Sequence, residues 1–334
     1  MNFGATILDA DGLRLSKDEA RFFREANPFG FILFARNIDT PDQVYALCSE
    51  LREAVGREAP ITIDQEGGRV QRLRGPQWHE WEAPLDFVEM AGDDAPRAMY
   101  IRYRLIADEL RALTIDSNCA PMTDLAGPAT HEFLKNRCYG ATPGAVAELG
   151  RAVADGLLAG GVLPVLKHIP GHGRATLDSH YDLPQVDADL EELIDTDFAP
   201  FRELNDLPMG MTAHIRFAQI DEAPATLSRD VMNLVRSDIG FDGLIMTDDI
   251  SMKALNGSTE ANTRQSLDAG CDVVLLCNQP LATREACANA AGAMHDVAQT
   301  RAMRALEARK TPDDIDIAEL KAELKALLSG QGNG

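Results

Sequence analysis

The chain has 334 residues, 45% of them hydrophobic, which suffices to bury a large core in one α/β domain of barrel size. Its formal net charge of −21 repels a phosphate backbone or an anionic bilayer at long range, so nucleic acid and membrane surfaces are poor partners. Small neutral or locally recognised ligands remain.

The opening residues, MNFGATILDADG, hold no basic segment followed by an apolar core, and no later apolar run reaches bilayer-spanning length. A cytoplasmic protein without a secretory leader is expected. The cysteines at positions 48, 119, 138, 271, 277 and 287 form no Cys-x-x-Cys pair and sit mostly inside apolar patterns, so they are expected to be reduced core thiols.

Short apolar runs alternate with helical patterns along the chain. Ala5 to Leu8, Gly30 to Phe34, Ile61 to Ile63, Thr114 to Ser117, Leu163 to Leu166, Met209 to Thr212, Gly243 to Met246 and Val273 to Leu276 each read as a buried strand. Thr40-Pro41 opens a helix with Val44, Leu47, Cys48, Leu51 and Val55 on one face. Thr142-Pro143 opens another, closed by Gly160-Gly161, and Ser228 caps a third over Val231 to Ile239, closed by Gly240. Eight βα units with short connections predict a (β/α)8 barrel of the TIM type, one domain over 1–334, with an irregular barrel or a doubly wound sheet as the alternatives. A last amphipathic helix is expected over Ile317 to Leu328, within about 315–329, followed by a frayed tail from Gly330 to Gly334.

In such a barrel the chemistry gathers at the carboxyl ends of the strands. Those ends carry Asp9, Asp64, Lys167-His168, His214, Asp248-Asp249 and Asn278. Asp248 reads as a site residue, whereas Asp9 and Asn278 read as parts of a rim ion pair. After the third strand, Gly67 and Gly68 let the backbone turn sharply, so that Asp64 and Arg72 both face the barrel mouth. Together with Lys167, His168 and Asp248 they describe a pocket of forked donors and acceptors, which suits a sugar ring. Neither G-x-x-x-x-G-K-[ST] nor a strand followed by G-x-G-x-x-G occurs, so no phosphate-cradling loop is expected.

The fifth strand ends in Lys167-His168 and passes through Pro170-Gly171-His172-Gly173 into a loop bearing Asp178, Ser179 and His180. Three readings compete there: a metal held by His168, His172, His180 and Asp178; a rigid loop held by histidine hydrogen bonds; and acid/base chemistry by His180 tuned by Asp178. The third is favoured. No His-x-x-x-His pair lies on an evident helix, Lys167 beside the first ligand repels a cation, and such a polar run is costly to keep for structure alone. No metal and no cofactor are expected.

Five separated segments then resemble the motifs of glycoside hydrolase family 3: IDQEGGRVQR from Ile63 to Arg72, KHIPGHG from Lys167 to Gly173, DSH from Asp178 to His180, MTAH from Met211 to His214, and MTDDISM from Met246 to Met252. The resemblance covers most of the chain, in order, and the length leaves no room for the second, sandwich domain of larger members. It implies a retaining exo-glycosidase releasing terminal β-linked N-acetylglucosamine, with Asp248 as nucleophile and His180, paired with Asp178, as acid/base. It also implies that Asp64, Arg72, Arg137, Lys167 and His168 hold the sugar, although the surroundings of Arg137, KNRCY, depart from the family's usual GDRSF. The implied substrate is a small carbohydrate, GlcNAc-1,6-anhydroMurNAc and its peptides, handled by a monomer. A phosphorylase using the same residues, or an inactive sugar-binding barrel, are the alternatives.

Overall fold

The computed structural model describes residues 2–128, 130–177 and 182–330. Its core is a ring of eight strands: β1 (Gly4–Leu8), β2 (Pro28–Leu33), β3 (Ile61–Ile63), β4 (Ser117–Asn118), β5 (Leu163–Ile169), β6 (Met209–Thr212), β7 (Leu244–Met246) and β8 (Val274–Leu276). They are hydrogen-bonded in the order β7-β6-β5-β4-β3-β2-β1-β8, every pair parallel. One further parallel bridge, Met246 to Val273, joins β7 to β8 and closes the ring. Closure excludes the doubly wound sheet, and helices between successive strands complete a (β/α)8 barrel of the TIM type.

Alternation along the strands decides what points inward. Leu163 and Val165 of β5, Leu244 and Met246 of β7, and Ala5 and Ile7 of β1 belong to one buried cluster inside the ring. Ile61 and Ile63 of β3, and Leu166 and Ile245, face the surrounding helices instead. Two residues beyond each inward position come Lys167, Asp248 and Asp9, while Asp64 keeps the parity of Thr62. The strand pleat therefore aims four charged side chains at the axis.

Helices cover the ring where local chemistry allows them to start and stop. Pro41–Val55 is capped by Thr40, whose hydroxyl accepts from the Gln43 N–H, and it closes at Gly56 with φ +65°. Arg229–Ser237 is capped by Ser228, which accepts from Val231. Pro143–Ala159 begins where Thr142-Pro143 predicts, but the Thr142 hydroxyl makes no capping bond. Its start rests on Pro143, whose ring pre-sets φ.

Three expectations need correction. The fourth strand is Ser117–Asn118, later than Thr114 to Ser117, because Thr114 adopts φ +61° as the chain leaves the helix Ala95–Ala112 and so cannot join a ladder. The fifth strand runs on to Ile169, so Lys167 and His168 belong to the strand itself. The last helix is Ile317–Gly330, which takes in the glycine expected to fray; 331–334 lie outside the described residues.

At the amino ends of the strands two buried carboxylates stand in for missing ladder bonds. Asp116 accepts the Ile61 N–H at 2.8 Å and guanidinium bonds from Arg52 at 2.9 Å and Arg309 at 2.5 Å. Asp272 accepts the Ile245 N–H at 2.9 Å, with Arg236 at 2.7 Å and Arg301 at 3.0 Å. That end of the barrel is thus tied for stability, which leaves the carboxyl end for chemistry. All six cysteines are free and buried, and no helix among the described residues is long and apolar enough to cross a membrane.

Candidate active site

A cavity of about 400 Å³ opens at the carboxyl ends of the strands, lined among others by Asp64, Arg72, Arg137, Lys167, His168 and Asp248. Asp64 leaves β3 into a small antiparallel hairpin, Gln65–Gly67 against Val70–Gln71. Its turn needs Gly67 at φ +112°, where any Cβ would strike the guanidinium of buried Arg102. The hairpin returns Arg72 beside its starting point, where Arg72 donates to Asp64 Oδ2 at 3.0 Å.

From this pair runs a chain of alternating charge. Lys167 Nζ donates to Asp64 Oδ1 at 3.2 Å and meets Glu66 Oε1 at 2.6 Å. Arg137 then grips Glu66 with both arms of its fork, at 2.9 and 2.8 Å. Burial alone would push the Asp64 and Glu66 carboxyls up, but Lys167 and Arg72 hold the first, and Arg137 and Lys167 the second, well below the usual carboxylate range. Burial likewise opposes the charges on Lys167 and Arg137, and the same carboxylates reverse it, so both stay firmly protonated. The cluster is a rigid, fully ionised scaffold.

His168 is oriented from behind, with Nδ1 2.7 Å from Asp124 Oδ2. Asp124 also accepts the His172 backbone N–H at 2.6 Å, which ties the Gly171–Gly173 turn to the same carboxylate. Against burial, His168 and the other bonds keep the Asp124 carboxyl low.

Asp248 follows β7 and accepts the Asp249 N–H at 2.8 Å through Oδ1. Burial would raise its carboxyl, but His214, His168, that N–H and Lys167 hold it below the ordinary value. Asp249 differs: burial pushes it up to about 6, despite bonds from the Ser251 N–H at 3.0 Å and hydroxyl at 2.8 Å. His214 bridges Thr226 Oγ1 at 2.7 Å and the Asp249 carbonyl at 3.0 Å, so it braces this turn. Two adjacent aspartates are thereby separated into an ionised one lining the cavity and a more readily protonated, structurally bonded one.

Asp9 is a rim residue: it pairs with Arg36, accepts the Asn278 N–H at 2.6 Å, and does not line the cavity, whereas Asn278 does. Higher up, the mouth is walled by Phe34 and Phe133. Arg36 and Arg72 stand 5.2 and 5.3 Å from the Phe34 ring, and Arg69 lies 3.7 Å from the Phe133 ring. Asp178, Ser179 and His180 lie outside the described residues, between Leu177 and Asp182. Sequence reasoning missed Glu66 and Asp124. The first bore a signal, two residues after Asp64 and just before the glycine pair; the second had the same Thr-Asp pattern as Thr247-Asp248, at Thr123-Asp124. No group of three or more His, Cys, Asp or Glu among the described residues is placed to hold a metal ion.

The family model of the glycosyl hydrolase family 3 N-terminal domain matches residues 7–308. A β-hexosaminidase of Methylococcus capsulatus is 38% identical over 283 residues, covering 83% of this chain and 84% of that protein. The crystal structure of NagZ from Neisseria gonorrhoeae in complex with N-trifluoroacetyl-D-glucosamine shares 29% identity, covering 99% of this chain and 97% of that one, with a TM-score of 0.85. NagZ of the same organism in complex with zinc ion shares 30% identity, covering 98% of this chain and 97% of that one, with a TM-score of 0.84. With that match over most of its length and a polar cavity at the barrel's mouth, the chain belongs to glycoside hydrolase family 3 and is an enzyme of the β-hexosaminidase kind.

Proposed function

We propose that this enzyme is a retaining exo-β-N-acetylglucosaminidase acting through a covalent glycosyl-enzyme on Asp248, with His180 as acid/base and Asp178 as its partner. The observation that carries the reading is the state of Asp248. It lines the cavity, is held ionised, and forms no ion pair among the described residues, while Asp64 is engaged by Arg72 and Lys167. A carboxylate that is charged but not neutralised by contact is available to attack an anomeric carbon. Asp64, Arg72, Lys167, Arg137 and His168 hold the hydroxyls of the terminal sugar, their geometry fixed by Glu66 and Asp124 before substrate arrives. His180 delivers a proton to the leaving oxygen and then takes one from water; an imidazole with an ordinary pKa near 6.5 suits both halves at neutral pH.

The substrate is GlcNAc-1,6-anhydroMurNAc and its peptides, bound by a single-domain monomer in the cytoplasm. A second reading, phosphate in place of water as acceptor, is favoured by the arginines around the mouth, Arg36, Arg69 and Arg72. Turnover of a chromogenic β-GlcNAc glycoside with and without phosphate separates the two. A 2-deoxy-2-fluoro glycoside should trap the enzyme on Asp248, and Asp248→Asn should fold normally yet lose several orders of magnitude in turnover. Label found on Asp249 refutes the assignment.

A further inference from the structure

His172 lines the cavity, and neither the ion chain nor the proposed nucleophile and acid/base dyad uses it. It is 4% exposed, and neither Nδ1 nor Nε2 has a hydrogen-bond partner among the described residues. Buried imidazoles without partners are rare, because each unpaired nitrogen forfeits its bond to water. The backbone that carries the ring is pinned. Its backbone N–H is held by Asp124, and the flanking glycines are wedged: a Cβ on Gly171 would come within 2.9 Å of the Asp197 carbonyl, and one on Gly173 would strike the Leu125 carbonyl. The His168 ring lies 5.7 Å away, tilted by 54°, and its own Nδ1 is committed to Asp124, so it does not satisfy the neighbour.

Charge narrows what the ring awaits. Burial, with only partial opposition from Asp124, pushes the His172 imidazole down to about 4, so at neutral pH it offers one N–H donor and one bare acceptor nitrogen. Nearby, Lys167 and Arg137 are charged and already paired with carboxylates. An anion would find its cations engaged, and a cation would meet Lys167 and Arg137. A group that is itself neutral, donor and acceptor at once, fits the ring: a hydroxyl or an amide.

We propose that His172 is a sugar-binding residue whose imidazole takes one uncharged polar group of the terminal sugar, a hydroxyl or the acetamido group, as its hydrogen-bond partner. This rests on the reading that the terminal sugar occupies the cavity. The test crosses two deletions. Wild type, His172→Phe and His172→Asn are assayed on a chromogenic β-GlcNAc glycoside and on analogues each lacking one hydroxyl or the N-acetyl group. His172→Phe should lower kcat/KM on the parent on the order of 10- to 100-fold, the loss expected for an unpaired polar group in a dry site. On one analogue, and only one, it should cost nothing further, and His172→Asn, which keeps an amide donor and acceptor, should recover part of the loss on the parent. A loss of the same factor on every analogue makes His172 structural and overturns the proposal, as does a parent loss below about threefold. If His172→Phe fails to fold by thermal melt, the His172→Asn comparison across the analogues decides alone. Failure of wild type to turn over the parent glycoside refutes the proposed function itself, and this inference with it.

Discussion

Neutralising Glu66 probes the ion chain at its centre. Glu66 has a side chain 1% exposed and binds Arg137 and Lys167, whose side chains are 8% and 2% exposed. In Glu66→Gln the shape is kept, but the three cations Arg72, Lys167 and Arg137 are left facing Asp64 alone within the chain. Breaking a buried ion pair from one side costs about 3–5 kcal/mol, since the abandoned charge stays desolvated. At roughly 2 °C per kcal/mol for a chain of this size, the melting temperature should fall by about 6–10 °C at pH 7. Function should fail in a matching way: Arg137 and Lys167 lose their anchor, so KM for a β-GlcNAc glycoside should rise more than kcat falls. Pairing the change with Arg137→Gln should cost less than the two single changes summed, because the double variant no longer buries an orphaned guanidinium. A melting point within about 2 °C of wild type, or strict additivity in the double variant, would mean that water reaches the pair and that the chain is not the scaffold described.

Three further expectations follow from the site. His180→Ala should slow a sugar aglycone severely while sparing the first step for a nitrophenyl aglycone that leaves unaided, and azide should restore turnover; equal losses on both substrates would rule out the acid role. Stability between about pH 6 and 4 should reflect two opposing groups. His172 stays neutral in the fold down to about 4 while its unfolded form protonates near 6.5, so it removes about 3 kcal/mol as pH falls; Asp249, protonating at about 6 folded and 3.8 unfolded, returns about as much over the same range. His172→Phe should therefore become more stable on acidification through that window and Asp249→Asn less stable, and urea melts showing the same slope in both would contradict the assignment. Chelator should leave activity intact, because Lys167 and Arg72 disfavour a divalent ion and the reaction proposed for Asp248 has no step for one; stoichiometric zinc whose removal abolishes turnover would reverse that view.

The barrel was legible because its strands are buried on both faces and so read as uninterrupted apolar runs, such as Val162 to Leu166. The fourth was misplaced because it has two residues in the ladder, and the Asp116 side chain, not an apolar pattern, fixes its register against Ile61. At the site, polar residues that end an apolar run stood out: Asp64, Lys167 and Asp248. Glu66 did not, since its meaning lies in Arg137 and Lys167, 71 and 101 residues away, and its neighbours Gly67 and Gly68 drew the reading toward a turn. Asp124 was hidden for the same reason, as its partners His168 and His172 lie 44 and 48 residues on. Local pattern announces which groups are unusual where they stand; it says nothing of the counter-charges that make them tolerable.

The seam between β7 and β8 has a consequence of its own. Elsewhere in the ring neighbouring strands share two or three registered pairs, but here one bridge closes the circle; backbone bonds from Thr247 to Val273 and from Val273 to Ile245 cross the seam, and side chains add to them: Asp272 takes the Ile245 N–H, and Thr247 Oγ1 takes the Leu275 N–H at 3.0 Å. The amides of Ile245 and Leu275 therefore owe their shelter to a carboxylate and a hydroxyl. In hydrogen exchange, Thr247→Val should unmask Leu275 while leaving the β1–β2 amides untouched. Asp248 is the next residue along. The seam that leads into Asp248 is thus the joint with the fewest registered pairs, and two of its strand amides depend on side chains that a single substitution removes.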